Sequence, residues 1–269
     1  MTFHKITSAI IFTLIAAALL TACAPLSPDT TYQFSLPGQA SLLLEIKIED
    51  GSVEVRSSSD EDIHIHYLDT ANKELITIRQ EDERFILQTR SAYTAPIQIE
   101  VPTGIQLRIE AYHAHFSLMD VSGMIHIQTT DGDIHAADSS GRLTLRSARG
   151  NVSIRDSHGD IALLGEHGVL EITNTHGDVD AATIMGTIQF QGQLEMGDDI
   201  FLETDHGPVF ASLSDMPDTL IHIWTANGKV TCMLDDVTSS NITCDRQQQD
   251  ATSSFQIKTV WGNIRVEEQ

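Results

Sequence analysis

The sequence predicts an all-β fold: a single-stranded parallel β-solenoid of nine-residue strand–turn units, about 18 residues per coil, behind an irregular β cap at its N-terminal end. Three observations predict it. Glycine recurs at positions 123, 132, 141, 150, 159, 168, 177 and 186, eight in a row at intervals of nine. In each unit the second and fourth residues after the glycine are apolar or small, as in Ile125/Ile127, Leu143/Leu145, Ile161/Leu163 and Leu170/Ile172. A polar turn then leads to the next glycine. Alternation over five residues followed by a turn is the pattern of a short half-buried strand. A unit that small cannot bury its apolar side alone, so units must stack on one another around a shared core.

The elements follow in order. Residues 1–22 begin with a basic Lys5, run apolar from Ile6 to Leu20 and end in small residues, which is an export signal too short and wrongly flanked for a membrane span. Leu20-Thr21-Ala22-Cys23 resembles the lipobox of bacterial lipoproteins; the resemblance implies cleavage before Cys23, lipid on its sulfur and, because Ala24 is not Asp, outer-membrane sorting in a host with two membranes. Residues 23–31 are then a lipidated tether. Residues 32–104 contain strands without a fixed period, such as LLLEIKI, GSVEV, DIHIHY and RFILQTR, and are read as a β cap or entry coils that shield the open end from edge-to-edge pairing. Residues 105–269 carry the repeat: Leu107/Ile109 and Phe116/Leu118 precede the glycine run, and after a three-residue slip at Glu195-Met196-Gly197 the frame resumes with Ile200/Leu202 and Val209/Ala211. Ile221/Ile223, Val230/Cys232, Phe255/Ile257 and Ile264/Val266 complete it, and the polar stretch 235–252 interrupts it as a projecting loop.

The formal charge is -22, and removal of residues 1–22 takes away one lysine and no acid, leaving -23. Such a surface repels nucleic acid and anionic headgroups, so attachment to a membrane must come from the lipid on Cys23. Acidic composition can accompany disorder, but a chain that is 41% hydrophobic with alternating apolar residues can build a core.

The stretch EVPTG at Glu100 to Gly104, the repeated GDI and GNV strands (Gly132-Asp133-Ile134, Gly150-Asn151-Val152, Gly159-Asp160-Ile161) and the closing WGNIRV at Trp261 to Val266 together resemble the bacterial "putative adhesin" β-strand repeat family of unknown function, over residues 32–266. The resemblance implies a β-solenoid outside the cytoplasm and supplies no catalytic residues.

Several side chains invite chemical readings. His158, His167 and His176 each precede a glycine, where other units place Asp131, Ser140, Arg149 and Met185; a position open to such different side chains is a turn. With two units per coil His158 and His176 share one edge and His167 lies on the other, short of the three or four converging ligands zinc requires. Calcium-binding β-rolls need doubled glycines, whereas Asp133, Asp160 and Asp178 each follow a single one. No metal or cofactor is therefore expected. Cys232 and Cys244 either pair or stay as free thiols.

The function expected is a non-catalytic cell-surface or envelope module for adhesion, glycan or envelope-polymer binding, or structural support. The alternative is a carbohydrate-active lyase or hydrolase on the same scaffold, for which Asp178 and Asp180 offer two carboxylates on one strand face. No Gly-x-Ser-x-Gly, His-Glu-x-x-His or phosphate-cradling loop adds to that alternative. Units starting at 159, 177, 198 and 219 are expected on one side of the solenoid, which makes Asp160, Asp178, Asp180, Phe201, His222 and Trp224 the candidate ligand face; the alternative is that Phe201 and Trp224 pack beneath the 235–252 loop and bind nothing. Aromatic rings beside carboxylates suit sugar stacking and hydroxyl binding.

Overall fold

The computed structural model describes residues 31–37, 43–68, 75–81, 83–90, 95–216, 218–247 and 250–268, which form strands and turns without a helix. Cys23, the stretch expected to be an export signal and nearly all of the expected tether lie outside the described residues. The architecture is all-β and β-solenoid-like. Ser140–Arg149 pairs in parallel with Ser122–Asp131 on one side and His158–Thr173 on the other, Leu143 facing both Ile125 and Ile161, a step of 18 residues each way. Across the coil Val152–Arg155 does the same, Val152 facing Ile134 and Leu170. Each coil thus contributes one strand to a first outward face and one to a second, and successive coils rise ~4.8 Å. The slip at residues 195–197 is absorbed at a corner: beyond it the step is 21, with Val179 facing Ile200 and Ile188 facing Val209.

Alternation then sets the core. Ile125, Ile127, Leu143, Leu145, Ile161 and Leu163 point inward from the first face and are at most 2% exposed; Ile134, Val152, Leu170 and Ile172 meet them from the second and are at most 1% exposed. At the corners the periodic glycines answer a backbone requirement. Gly150 has φ +159 and Gly141 has φ +104, and a Cβ on either would run into the carbonyl oxygen of the glycine one coil earlier, Gly132 or Gly123. Close approach of stacked backbones, more than freedom at φ, excludes a side chain there.

The order of coils departs from the order of the sequence at both ends. Leu43–Ser57, expected within a β cap or entry coils, is a regular coil, inserted between two later segments: Leu44 faces Leu107 on one side and Phe85 on the other, and Val53 faces Phe116 and Ile97. At the other end Ser253–Trp261 and Ile264–Glu268 lie between the coil of Asp199–His206 and Val209–Leu213 and the coil of Thr219–Thr225 and Val230–Met233; Phe255 faces Ile200 and Ile221, and Ile264 faces Val209 and Val230. Both outermost coils are closed by antiparallel strands. Asp62–Leu68 pairs with Ile97–Val101, Ile76–Glu81 with Arg84–Thr89, and Thr243–Arg246 with Thr219–Thr225. The stretch expected as a projecting loop at 235–252 thus supplies the strand that closes the last coil, which leaves fewer open edges for association.

Candidate functional site

On the first face, the 18- and 21-residue steps line up outward side chains in columns. Arg142 faces Asp160, and Asp178 and Asp199 continue that line; beside it run Thr144, Ala162, Asp180 and Phe201. Thr144 and Ala162 are small, so between larger neighbours the columns leave a groove of about 490 Å³. Asp160, Asp178, Asp180 and Phe201, four residues expected on the ligand face, all line it.

The carboxylates are held in different ways. Arg142 Nη2 lies 3.0 Å from Asp160 Oδ2. Asp178 Oδ1 accepts the backbone N–H of Asp199 at 3.1 Å, and Asp199 Oδ1 accepts the Ser254 hydroxyl at 2.6 Å. Asp180 differs: partial burial pushes its carboxyl above the usual carboxylate value, and the negative charge of Glu203 pushes it the same way. The groove therefore presents fixed acceptors and one carboxyl that takes up a proton more readily than an ordinary carboxylate, beside the half-buried ring of Phe201. Hydroxyl groups and an apolar ring face are ligand features this arrangement can meet.

His222 and Trp224 lie on the same side of the solenoid but do not adjoin this groove. The C-terminal coil stands between: Gln256 faces Phe201 on one side and His222 on the other, and Lys258 faces Glu203 and Trp224. Lys258 pairs with the Glu203 carboxylate and its Nζ lies 5.8 Å from the centroid of the Trp224 ring. His222 Nδ1 is 2.7 Å from Asp245 Oδ1, on the antiparallel strand that closes the coil. Nine-residue periodicity marks both residues as outward but contains nothing about which coil lies beside which.

An Asp or Asn after several of the corner glycines has a part that pattern reading passes over. Asp133 Oδ1 accepts the N–H of Asn151 at 2.7 Å, Asn151 Oδ1 accepts that of Val169 at 3.0 Å, and Asn263 Oδ1 accepts that of Lys229 at 2.9 Å. At these positions the residue after the glycine is thus a staple between coils, its side chain reaching a strand-entry amide of a neighbouring layer, whereas Asp160 after Gly159 pairs with Arg142 instead. A second missed feature lies on the second face, where Phe210 is 44% exposed between Gln189 and Arg265. Its outward position between inward Val209 and Ala211 is the signal that could have revealed it.

His158 and His176 meet on one edge through a parallel bridge, whereas His167 faces Arg149 and Met185 on the other. His176 Nδ1 lies 3.3 Å from Glu195 Oε1. Among the described residues no group of three or more His, Cys, Asp or Glu side chains is placed to hold a metal. Cys232 and Cys244 form a disulfide with Cα atoms 6.3 Å apart, which ties the last coil to its closing strand.

A family model described as Toastrack DUF4097 matches residues 43–267. Among solved structures, a putative adhesin from Bacteroides fragilis has 14% identity to this chain and a TM-score of 0.52, over 89% of this chain and 98% of its own. A putative cell adhesion protein from Clostridium sporogenes has 12% identity and a TM-score of 0.28, over 89% of this chain and 100% of its own. The first of these likenesses concerns the fold alone. No curated protein matches the chain.

Proposed function

The chain belongs to the Toastrack DUF4097 family, and from that premise we propose that it is an exported lipoprotein, anchored by acyl chains on Cys23, whose solenoid binds an envelope or cell-surface polymer without transforming it. In this reading the repeat unit is a coil of two nine-residue strand–turn units. The observation that carries the proposal is the first-face groove, where stacking gathers Asp160, Asp178, Asp180 and the Phe201 ring from separate coils onto one rigid surface. Groups held by a packed ladder lose little freedom on binding, which favours recognition of a repetitive ligand. The adhesin name of the Bacteroides fragilis relative accords with this reading.

A glycan-array screen of the full chain tests it. Binding that falls about tenfold in Phe201→Ala, with the melting temperature within a few degrees, is expected from loss of a stacking ring. Absence of binding to any glycan or isolated envelope fraction would sink it. For the anchor, the wild-type protein should enter the detergent phase and Cys23→Ser should leave it; a Cys23→Ser protein that stays in the membrane after signal cleavage would refute lipidation.

The enzymatic alternative has one observation in its favour, the raised proton affinity of Asp180. Release of new reducing ends from a polysaccharide, lost in Asp180→Asn, would replace the binding reading with catalysis.

A further inference from the structure

The second face carries a groove of different chemistry. Two cavities, of about 470 and 360 Å³, open along it and share Glu171 and Thr173, so they form one trough crossing several coils parallel to the solenoid axis. Its floor is low because Ser117 and Ser153 are small where Glu171 and Gln189 stand further along. One wall includes His135, whose Nδ1 lies 2.6 Å from Ser153 Oγ. Toward the C-terminal coil the trough meets the exposed ring of Phe210, flanked in register by Gln189 and Arg265.

We propose that this trough binds a linear, uncharged polysaccharide lying along the solenoid axis, with a sugar ring stacked on Phe210 and its hydroxyls hydrogen-bonded by Gln189, Ser153 and His135. The proposal rests on the reading of the protein as a polymer-binding module and adds to the acidic groove a second site, for an uncharged polymer, on the opposite face.

Three observations select the ligand. The first is charge. The trough has two guanidinium groups, Arg155 and Arg265, and two carboxylates, Glu171 and Glu267, on a chain of formal charge -22. Arg265 is also spent on Glu267, with Nη2 2.8 Å from Oε2. This balance favours neither a polyanion nor a polycation, while the first-face groove sets four aspartates against one arginine. The second is backbone satisfaction: Val152–Arg155 is paired in parallel on both sides, so the trough floor offers no unpaired strand edge to which a peptide could add. The third is repetition. Layers ~4.8 Å apart present Ser, Thr, Gln and His side chains that both donate and accept, matching a ligand with hydroxyls along its length.

The test is affinity electrophoresis and calorimetry of the full chain with neutral linear oligosaccharides (cello-, xylo-, manno- and chito-oligomers of two to six sugars), beside polygalacturonate and chitosan as charged comparators. Expected are binding to at least one neutral series that strengthens with length, about a tenfold loss in Phe210→Ala and a smaller one in Gln189→Ala. Tyr112→Ala, at an exposed residue that lines neither groove, should leave it unchanged, and melting temperatures should stay within a few degrees. Neutral-glycan binding that survives Phe210→Ala but is lost in Phe201→Ala overturns the second-face site and leaves the polymer-binding reading standing. Binding of the charged comparators alone overturns the choice of ligand. If no glycan of any charge binds, the site and the reading fall together.

Discussion

The two outward faces share one core, one strand ladder and one set of glycine corners, yet they present opposite surfaces. Phe201 and Phe210 make the difference plain: the first is half-buried between Asp180 and Gln256, the second is 44% exposed between Gln189 and Arg265. In a strand the inward residues must satisfy a packed interior, whereas the outward ones answer only to solvent and ligand. A solenoid can therefore vary its two faces independently over a constant core. The acidic groove and the near-neutral trough are two outcomes of one scaffold.

That comparison can be broken at its root by testing whether the core is shared. Ile161→Asp beneath the first face and Leu170→Asp beneath the second each place an unpaired charge at a position no more than 2% exposed, and each should cost ~4 kcal/mol or prevent folding. Their outward neighbours Ala162→Ser and Glu171→Gln should change stability by less than ~0.5 kcal/mol. Urea denaturation in which one face tolerates the inward charge would mean that the faces do not rest on one core. Next in size is the corner joining the two faces: Gly150→Ala should cost ~3 kcal/mol, because its Cβ would enter the space of the Gly132 carbonyl. A melting temperature unchanged in that variant would contradict the close stacking of corners. Of similar size is Cys232→Ser, which releases the closing strand and should cost ~3 kcal/mol by the loop-closure argument; loss of the same stability on reduction of the wild type, and no further loss on reducing the variant, checks it.

The smallest effects are those of pH, and they sharpen the electrostatic contrast of the first face. Burial holds His126 below its ordinary value of 6.5, with Arg108 adding to the shift. The unfolded chain therefore takes up that proton first as pH falls, so the contribution is complete above 6.5 and declines as pH drops through 6.5 toward the folded value. His126→Gln should flatten the stability profile in that window. Asp180 has the opposite sign: its folded value is raised above 3.8, so its contribution is greatest below 3.8 and is lost as pH climbs through the folded value. Asp180→Asn should remove that decline, and a steeper decline in the variant would contradict the raised value.

Much of this was legible before any coordinates. The pairs Leu143/Leu145 and Val152/Ile154 mark inward positions, the glycines mark corners, and the slip at Glu195-Met196-Gly197 appears as the change of step from 18 to 21. Asp160, Asp178, Asp180 and Phe201 could be placed together because they lie where sequence neighbours are also spatial neighbours. His222 and Trp224 could not, since the C-terminal coil separates them from that groove. Phe210 passed unremarked because its strand bears no acid to draw attention to it.

The path of a repeat coil is written in the chain: alternation chooses the buried side of a strand, and a glycine is required wherever two backbones nearly touch. The tertiary structure alone decided which coil lies on which. Any coil offers its neighbour the same row of N–H and C=O groups, so the ladder is indifferent to chain order, and no periodic pattern records that a Cβ on Gly228 would strike the carbonyl of Gly262, and one on Gly262 that of Gly207. The order was settled by the ends, where Leu43–Ser57 and Ser253–Glu268 each satisfy both their edges inside the stack, and the outermost coils are left to the antiparallel strands and the disulfide that close them.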